Sequence, residues 1–197
     1  MNIGIIGTGS IADNFAQAFS RVEGINLFAI SSRSLDKARA FAEKYGFTNW
    51  YEGYESMLKN PELDLVYIAT PNNQHFQNSI DVINSGKSVI CEKPFAMNAQ
   101  EAEEMIMLSL KKKVFLVEAM WTKYFPGVHK LKEIIDSGVL GEITTVQGDL
   151  SYPLPKDKER LYKKHLGGGA LMDLGIYPIS LTHYLFGRPK NIAAKAN

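Results

Sequence analysis

The sequence has 197 residues and is 45% hydrophobic, which is enough for one well-cored domain and part of a second. Its 22 basic and 21 acidic residues leave a net charge of +1 without a basic stripe or acidic tail, which argues against nucleic acid or a membrane as the main partner. A single cysteine, Cys91, excludes an internal disulfide; its apolar neighbours predict a buried, unreactive thiol. No apolar run approaches ~20 residues and no basic leader precedes the first strand, so we expect a cytoplasmic protein.

Short apolar runs alternate with helical patterns over the first 120 residues. Strands are predicted at Ile3–Ile6, Asn26–Ser31, Leu65–Ala69, Val89–Cys91 and Val114–Val117. Helices are predicted at Ile11–Phe19, Leu35–Tyr45, Asn73–Ile83 and Ala99–Leu110. Each crossover must return to the same edge of the sheet, so the strands pair in parallel. The pattern predicts a doubly wound α/β domain over residues 1–120.

The pattern changes at Trp121. A helix is predicted at Gly127–Ser137, a longer strand at Glu142–Leu150, and a helix at Ala170–Phe186 after the triplet Gly167–Gly169. One strand and two helices cannot bury both faces of a sheet. We therefore expect residues 121–197 to be the incomplete start of an α+β domain with a large open sheet, in a fragment of a longer protein.

A glycine-rich turn joins the first strand to the first helix. Gly7-Thr8-Gly9-Ser10-Ile11-Ala12 fits the pattern G-x-G-x-x-A. The first glycine permits a tight turn, the second lets a pyrophosphate approach the backbone, and Ala12 allows close packing of helix and strand. The helix N-terminus supplies N–H groups to the phosphates, so we predict a dinucleotide site over a merely structural turn.

The residues after the second strand indicate which dinucleotide binds. NAD sites usually place Asp or Glu there to hold the ribose 2′-hydroxyl, whereas this chain has Ser32 and Arg33. A guanidinium can grip a 2′-phosphate with two parallel hydrogen bonds, which favours NADP over NAD. The alternative is a solvated Arg33, with the serines capping the next helix.

Two further turns lie at the same predicted edge. Thr70-Pro71-Asn72 follows a strand, with His75 close behind; spacing alone favours an ordinary turn with a helix cap. Lys93 follows the strand that ends at Cys91 and precedes a proline. The carboxyl edge of a parallel sheet is where open α/β folds bind ligands. Lys93 is therefore either chemically active or an ordinary solvent-exposed lysine.

Asp173 and Tyr177 stand four residues apart, hence on one face of a helix. Their neighbours are apolar, so a buried acid there needs a partner such as a phenol or an ammonium. The alternative is a core tyrosine with the acid as a local cap.

These motifs, in this order, resemble the glucose–fructose oxidoreductase / inositol dehydrogenase family of NAD(P)-dependent enzymes. The motifs are Gly7–Ala12, Thr70-Pro71-Asn72 with His75, Glu92-Lys93-Pro94, and Gly167–Gly169 followed by Asp173 and Tyr177. The stretch from Glu118 to Pro126 is similar to the branch of dihydrodiol dehydrogenases and NADP-dependent xylose dehydrogenases. The likeness covers essentially the whole chain.

The resemblance implies a catalytic lysine at Lys93, often followed by a cis peptide, and a general acid/base at Tyr177, where many members carry histidine. Asp173 would orient the substrate or Tyr177, and Trp121 and Phe125 would face the substrate or belong to the core. The implied cofactor contacts are Gly7, Thr8, Gly9, Ser10, Ile11, Ser32, Arg33, Thr70, Pro71, Asn72, His75, Glu92 and Lys93. A phenol of reference pKa about 10 is a poor base alone, and a nearby ammonium would stabilise its phenolate.

The resulting hypothesis is an NADP-dependent oxidoreductase that transfers a hydride to or from a sugar, cyclic polyol or trans-dihydrodiol. We expect no metal and, for the full-length protein, a homo-oligomer. A non-catalytic NAD(P)-binding regulator of the same fold is the alternative, although it would need only the nucleotide pocket. A hydrolase that uses NAD transiently is a third possibility, disfavoured by Tyr177, Ser32 and Arg33.

Overall fold

The computed structural model describes residues 1–153, 155 and 157–195. These residues form two compact units. The first comprises Met1–Ala119 together with His165–Gly167, and the second takes the other described residues from Met120 onward. Within the described residues, none of the helices combines the length and the apolarity that crossing a membrane requires.

The first unit is built on a six-stranded parallel sheet, which confirms the predicted doubly wound α/β fold. Its strands are β1 (Asn2–Ile6), β2 (Asn26–Ser32), β3 (Asn49–Glu52), β4 (Leu65–Ile68), β5 (Ser88–Cys91) and β6 (Leu116–Glu118). Their order in the sheet is β3-β2-β1-β4-β5-β6. This is the Rossmann order, which reverses direction between β1 and β4 and opens a ligand crevice at the carboxyl ends of those strands.

Five helices cover the sheet of this unit: α1 (Ser10–Phe19), α2 (Leu35–Tyr45), α3 (Glu55–Leu58), α4 (His75–Asn84) and α5 (Ala99–Lys112). The buried strand residues alternate between two apolar clusters, so that Val66 and Ile68 belong to one cluster and Tyr67 to the other. The Ser34 hydroxyl accepts from the Lys37 N–H at the start of α2, and Gly46 ends that helix in the left-handed conformation, as their residue types predict.

The sequence pattern predicts neither β3 nor α3. The strand β3 has four residues, each intermediate or exposed, so it carries no buried apolar run. It lies at the edge of the sheet beside β2, and the pairing of Ala29 with Asn49 and of Ser32 with Glu52 holds it there. Tertiary pairing rather than local pattern therefore creates this element.

The second unit contains α6 (Pro126–Asp136), a π-helical turn at Leu171–Gly175 and α7 (Ile176–Phe186). The predicted strand at Glu142–Leu150 is wrong, because these residues adopt no regular structure. A strand needs a neighbour to bond its backbone N–H and C=O groups, and every paired strand among the described residues belongs to the parallel sheet of the first unit.

The predicted single helix at Ala170–Phe186 is interrupted by its π-helical turn, in which the Ile176 N–H reaches back to the Leu171 carbonyl. Pro178 accounts for the change, since it lacks an N–H and its ring would clash with the carbonyl four residues earlier, that of Leu174. A wider turn relieves this conflict. Asp173 lies within the wide turn and Tyr177 in the first turn of α7.

Candidate functional site

Four turns of the first unit meet at one edge of the sheet. They follow β1, β2, β4 and β5, which end within one residue of the same level: Ile6 pairs with Ser31 on one side and Ile68 on the other, and Ile68 pairs with Cys91. The structure thus brings together the predicted cofactor contacts of the first unit at the crevice of the Rossmann sheet.

The turn after β1 leaves space for a ligand in front of its second glycine. Gly7 has φ +109°, and a Cβ there would lie 2.7 Å from the Ala69 carbonyl oxygen, so only glycine fits. Gly9 has ordinary extended dihedral angles, and apart from its own chain neighbours no described atom lies within 4 Å of where its Cβ would be. Ser10 and Ile11 follow at the exposed start of α1, where the glycine N-cap leaves the N–H groups facing outward. The turn therefore fits a pyrophosphate group.

The turn after β2 carries the residues that were predicted to select the cofactor. Ser32 is partly buried, and its hydroxyl lies 3.4 Å from that of Thr8 in the glycine-rich turn. The same hydroxyl accepts from the Ser34 N–H at 3.4 Å. Arg33 is exposed beside them, so a guanidinium and a serine hydroxyl border the end of the crevice nearest β2.

The polar side chains of the turn after β4 bond to other groups of the protein. The Thr70 hydroxyl donates to Asn78 Oδ1 at 2.8 Å, and the Asn72 amide donates to the Gly167 carbonyl at 2.9 Å, while Pro71 is exposed. His75 is 1% exposed. This histidine is therefore placed to shape the turn rather than to touch a ligand.

His75 joins the turn after β4 to the loop after β5. Its Nε2 lies 2.9 Å from the Thr70 carbonyl oxygen, and its Nδ1 lies 2.8 Å from the Pro94 carbonyl oxygen. Burial lowers the pKa of His75, and the two carbonyl contacts oppose that effect. A neutral imidazole has one N–H and can donate to only one of these carbonyls at a time.

Three side chains hold the backbone of the Lys93 loop: His75 of α4, Glu118 of β6, and Glu92 of the loop itself. The Lys93 N–H donates to Glu92 Oε2 at 3.2 Å, Pro94 contacts His75 through its carbonyl, and the Phe95 N–H donates to Glu118 Oε1 at 3.1 Å. The Lys93–Pro94 peptide is cis, as the family resemblance implies. The loop has a fixed backbone from which a half-buried lysine extends at the crevice edge.

Burial raises the pKa of three acidic groups in and beside this loop. Burial raises the pKa of the Glu92 carboxyl, opposed by hydrogen bonds from the Tyr67 hydroxyl and the Lys93 N–H. Burial likewise raises the pKa of Tyr67, and the Glu92 charge adds to this. Burial raises the pKa of Cys91 to about 12, consistent with the predicted inert thiol.

Sequence reasoning missed two residues of this loop's support, Tyr67 and Glu118. Tyr67 lies within an apolar strand and reads as an ordinary core residue, whereas its hydroxyl in fact donates to Glu92. Glu118 is the last residue of β6 and pairs with Cys91. Its position at the end of an apolar strand, at the carboxyl edge of the sheet, is a signal that could have identified it.

In the second unit, Tyr177 contacts Trp121 in the turn before α6, and Trp121 in turn packs on Phe125. The Trp121 indole Nε1–H donates to the Tyr177 hydroxyl oxygen at 3.2 Å, and the two rings meet edge to face. Phe125 packs edge to face on Trp121 with ring centroids 5.1 Å apart. Asp173 is half-buried, and its N–H donates to the Gly169 carbonyl at 3.1 Å. The structure thus brings Tyr177 together with both predicted substrate-facing aromatic residues.

Family models match both units of the chain. Residues 1–119 match an oxidoreductase family with an NAD-binding Rossmann fold, and residues 128–197 match the GFO/IDH/MocA C-terminal domain. The chain belongs to the GFO/IDH/MocA oxidoreductase family. Its first unit is therefore an NAD(P)-binding domain, and the resemblance drawn from the motifs is confirmed.

Curated relatives within the GFO/IDH/MocA family include trans-1,2-dihydrobenzene-1,2-diol dehydrogenases. The protein of that name from Danio rerio is 35% identical over 195 residues, which are 97% of this chain and 58% of the relative. The one from Homo sapiens is 33% identical over 193 residues, which are 95% of this chain and 56% of the relative. The chain thus spans somewhat more than half the length of these relatives.

Solved structures of similar proteins carry both kinds of nicotinamide cofactor. A 3-ketoreductase from Actinomadura kijaniata in complex with NADP is 28% identical, with a TM-score of 0.79 over 95% of this chain and 56% of that one. A levoglucosan dehydrogenase in complex with NADH is 27% identical, with a TM-score of 0.81 over 95% of this chain and 54% of that one. Solved structures of similar proteins thus include complexes with NADP and with NADH.

Proposed function

We propose that the protein is an NADP-dependent dehydrogenase or reductase that interconverts a hydroxyl and a carbonyl on a sugar, cyclic polyol or trans-dihydrodiol. The observation that carries this proposal is the presence of Lys93, on a loop held at three backbone positions, at the same sheet edge as the phosphate-binding turn. A protein that only sensed the nucleotide would need the turn but not the fixed lysine.

Each proposed catalytic residue has a role in the chemistry. In the oxidation direction, the substrate carbon loses a hydride and its hydroxyl loses a proton. The nicotinamide cofactor, when bound, supplies the two-electron acceptor. Tyr177, acting as its phenolate, takes the hydroxyl proton and becomes a neutral phenol, and the Lys93 ammonium stabilises negative charge on the reacting oxygens. Asp173 orients the substrate hydroxyls or Tyr177, while Trp121 and Phe125 offer aromatic faces to the substrate ring.

Solved structures of the similar ketoreductase from Actinomadura kijaniata include one variant with a tyrosine replaced by phenylalanine and another with a lysine replaced by alanine. The proposed catalytic pair of this chain consists of the same two residue types. The names of the relatives also support a diol or sugar derivative as the substrate class.

The first test concerns catalysis and uses the full-length protein. Purified protein is incubated with NADP or NAD and a panel of aldoses, inositols and trans-dihydrodiols, and reduced cofactor is followed by absorbance. We expect turnover with at least one class. Absence of turnover throughout the panel, in both reaction directions, would favour the non-catalytic regulator.

The catalytic roles are tested by Tyr177→Phe and Lys93→Met. Each should lower kcat by about 10²- to 10⁴-fold, because each removes a group that acts on the reacting proton or oxygen, while cofactor affinity changes little. Matched controls are Tyr184→Phe in the same helix α7 and Lys111→Met on the exposed end of α5. Turnover near that of the wild type in either test variant would refute the assignment.

The cofactor preference is tested by titrating NADPH and NADH into wild type and Arg33→Ala. We expect NADPH to bind the wild type more tightly, and the variant to lose about tenfold or more in NADPH affinity with little change for NADH, since the guanidinium would contact only the 2′-phosphate. Arg39→Ala is the control, because Arg39 lies in α2 and forms an exposed ion pair with Glu43. Tighter NADH binding by the wild type would contradict the proposed preference.

A further inference from the structure

A buried tyrosine lies behind the Lys93 loop. Tyr67 in β4 is 1% exposed, and its ring stacks on Phe15 of α1 with centroids 3.6 Å apart and planes 6° apart. Its hydroxyl is the one polar group on this side chain, and it donates to Glu92 Oε1. Because the residue is buried, the hydroxyl acts on the site through Glu92 and not by touching a substrate.

The Glu92 carboxyl group connects this phenol to the lysine. One oxygen accepts from the Tyr67 hydroxyl and the other accepts from the Lys93 N–H at 3.2 Å. An ionised carboxylate accepts with both oxygens, whereas a protonated carboxyl turns one of them into a donor. The ionised form is therefore the one that matches both donors.

The charge on Glu92 depends on a balance in which Tyr67 has a large part. Burial raises the pKa of Glu92, and the nearby Glu118 carboxylate adds to the increase. Among the opposing effects the Tyr67 hydrogen bond is the largest, ahead of the Lys93 N–H and the Lys93 ammonium. Removing the Tyr67 hydroxyl thus favours the protonated form of Glu92.

We propose that Tyr67 is a positioning residue of the dehydrogenase site: its hydroxyl holds one oxygen of the Glu92 carboxylate, so that the other oxygen fixes the backbone of Lys93. This inference rests on the proposed function, in which Lys93 takes part in catalysis. When Glu92 is protonated, the hydrogen bond from the Lys93 N–H to its carboxyl group weakens, and the negative charge beside the Lys93 ammonium disappears. Placement of the lysine then becomes less exact, which lowers turnover without removing the cofactor contacts.

The test compares Tyr67→Phe with Tyr54→Phe in the full-length protein. Phenylalanine at position 67 keeps the stack on Phe15 and removes only the hydroxyl. Tyr54 is a matched control, because its hydroxyl also donates to a carboxylate, Asp81 Oδ2 at 2.8 Å, in a pair outside the proposed site. We expect Tyr67→Phe to lower kcat at neutral pH by about tenfold, the usual effect of losing a hydrogen bond to a charged group. NADPH affinity should stay within about twofold, and Tyr54→Phe should change neither quantity.

Two readouts separate positioning from a merely structural effect. In Tyr67→Phe the acid limb of the kcat profile should move to higher pH, and the ¹³C NMR titration of the Glu92 carboxyl in cofactor-free protein should move in the same direction. In a Glu92→Gln background, Tyr67→Phe should have no further effect on kcat. An unchanged Glu92 titration, or equal losses for the Tyr67 and Tyr54 variants, would overturn the inference.

Failure of the proposed function gives a different result. If wild-type protein turned over no substrate of the panel, the dehydrogenase assignment would fall. The Glu92 titration would then decide by itself whether Tyr67 keeps this carboxylate ionised.

Discussion

The two glycines of the phosphate-binding turn should respond in opposite ways to the same substitution. At Gly7 an added methyl group meets the Ala69 carbonyl oxygen at 2.7 Å, in a backbone conformation of φ +109°. The strained conformation costs about 1–2 kcal/mol, and the overlap adds about 1–3 kcal/mol. At Gly9 the dihedral angles are ordinary, and apart from the chain neighbours of this residue the methyl group meets no described atom within 4 Å. There the folded protein should lose nothing, and it could gain up to about 1 kcal/mol because alanine has less backbone freedom than glycine when unfolded.

Gly7→Ala should therefore lower Tm by at least about 4 °C, whereas Gly9→Ala should keep the wild-type Tm. NADPH affinity should fall by about tenfold or more in Gly9→Ala, because the methyl group occupies the space that a pyrophosphate needs. Thermal unfolding without cofactor and NADPH fluorescence titration measure the two quantities. Wild-type NADPH affinity in Gly9→Ala would refute this location of the pyrophosphate, and wild-type stability in Gly7→Ala would refute the steric reasoning.

Three further outcomes follow from the geometry of single side chains. Cys91, whose pKa burial raises to about 12, should resist a thiol reagent at pH 8 in native protein and react at once in denaturant; rapid native labelling would contradict its burial. His75→Phe should lose about 1–3 kcal/mol of stability by leaving one carbonyl without its donor, as urea unfolding would measure. Because burial lowers the folded pKa of His75, its contribution to stability is present above the unfolded value of about 6.5 and falls at lower pH, a dependence that the variant should lose. Trp121→Phe removes the indole N–H that donates to the Tyr177 hydroxyl oxygen, so it should lower kcat about fivefold and leave NADPH affinity unchanged. An unaltered kcat would exclude a role of Trp121 in orienting Tyr177.

The alternation of strands and helices made the parallel sheet predictable, since β1, β2, β4 and β5 are nearly continuous apolar runs that end in turn residues. A parallel sheet also fixes which ends of its strands meet, so the shared edge of the glycine-rich turn and Lys93 followed from the sequence. The short edge strand β3 did not, because its residues are only partly buried and its pairing with β2 defines it.

The errors and omissions share a physical cause, which is that hydrogen-bond partners come from elsewhere in the chain. Ile143, Thr144 and Val146 favour an extended conformation, yet a strand also needs a neighbour. In the same way, a tyrosine in an apolar strand gives no local sign that its hydroxyl meets Glu92, since the partner lies in the loop that follows the adjacent strand. Residue types predicted the candidate groups, whereas the tertiary fold determined what each of them contacts.

The support of the Lys93 loop also has a consequence for how the domain folds. The bond from Tyr67 to Glu92 spans 25 residues, the contact of His75 with Pro94 spans 19, and the bond from Phe95 to Glu118 spans 23. Closing loops of this length costs less entropy than closing longer ones, and none of the three contacts involves β1, β2 or β3. The half of the sheet that carries the lysine can therefore organise early and from local contacts, whereas the nucleotide crevice forms only when the two halves join.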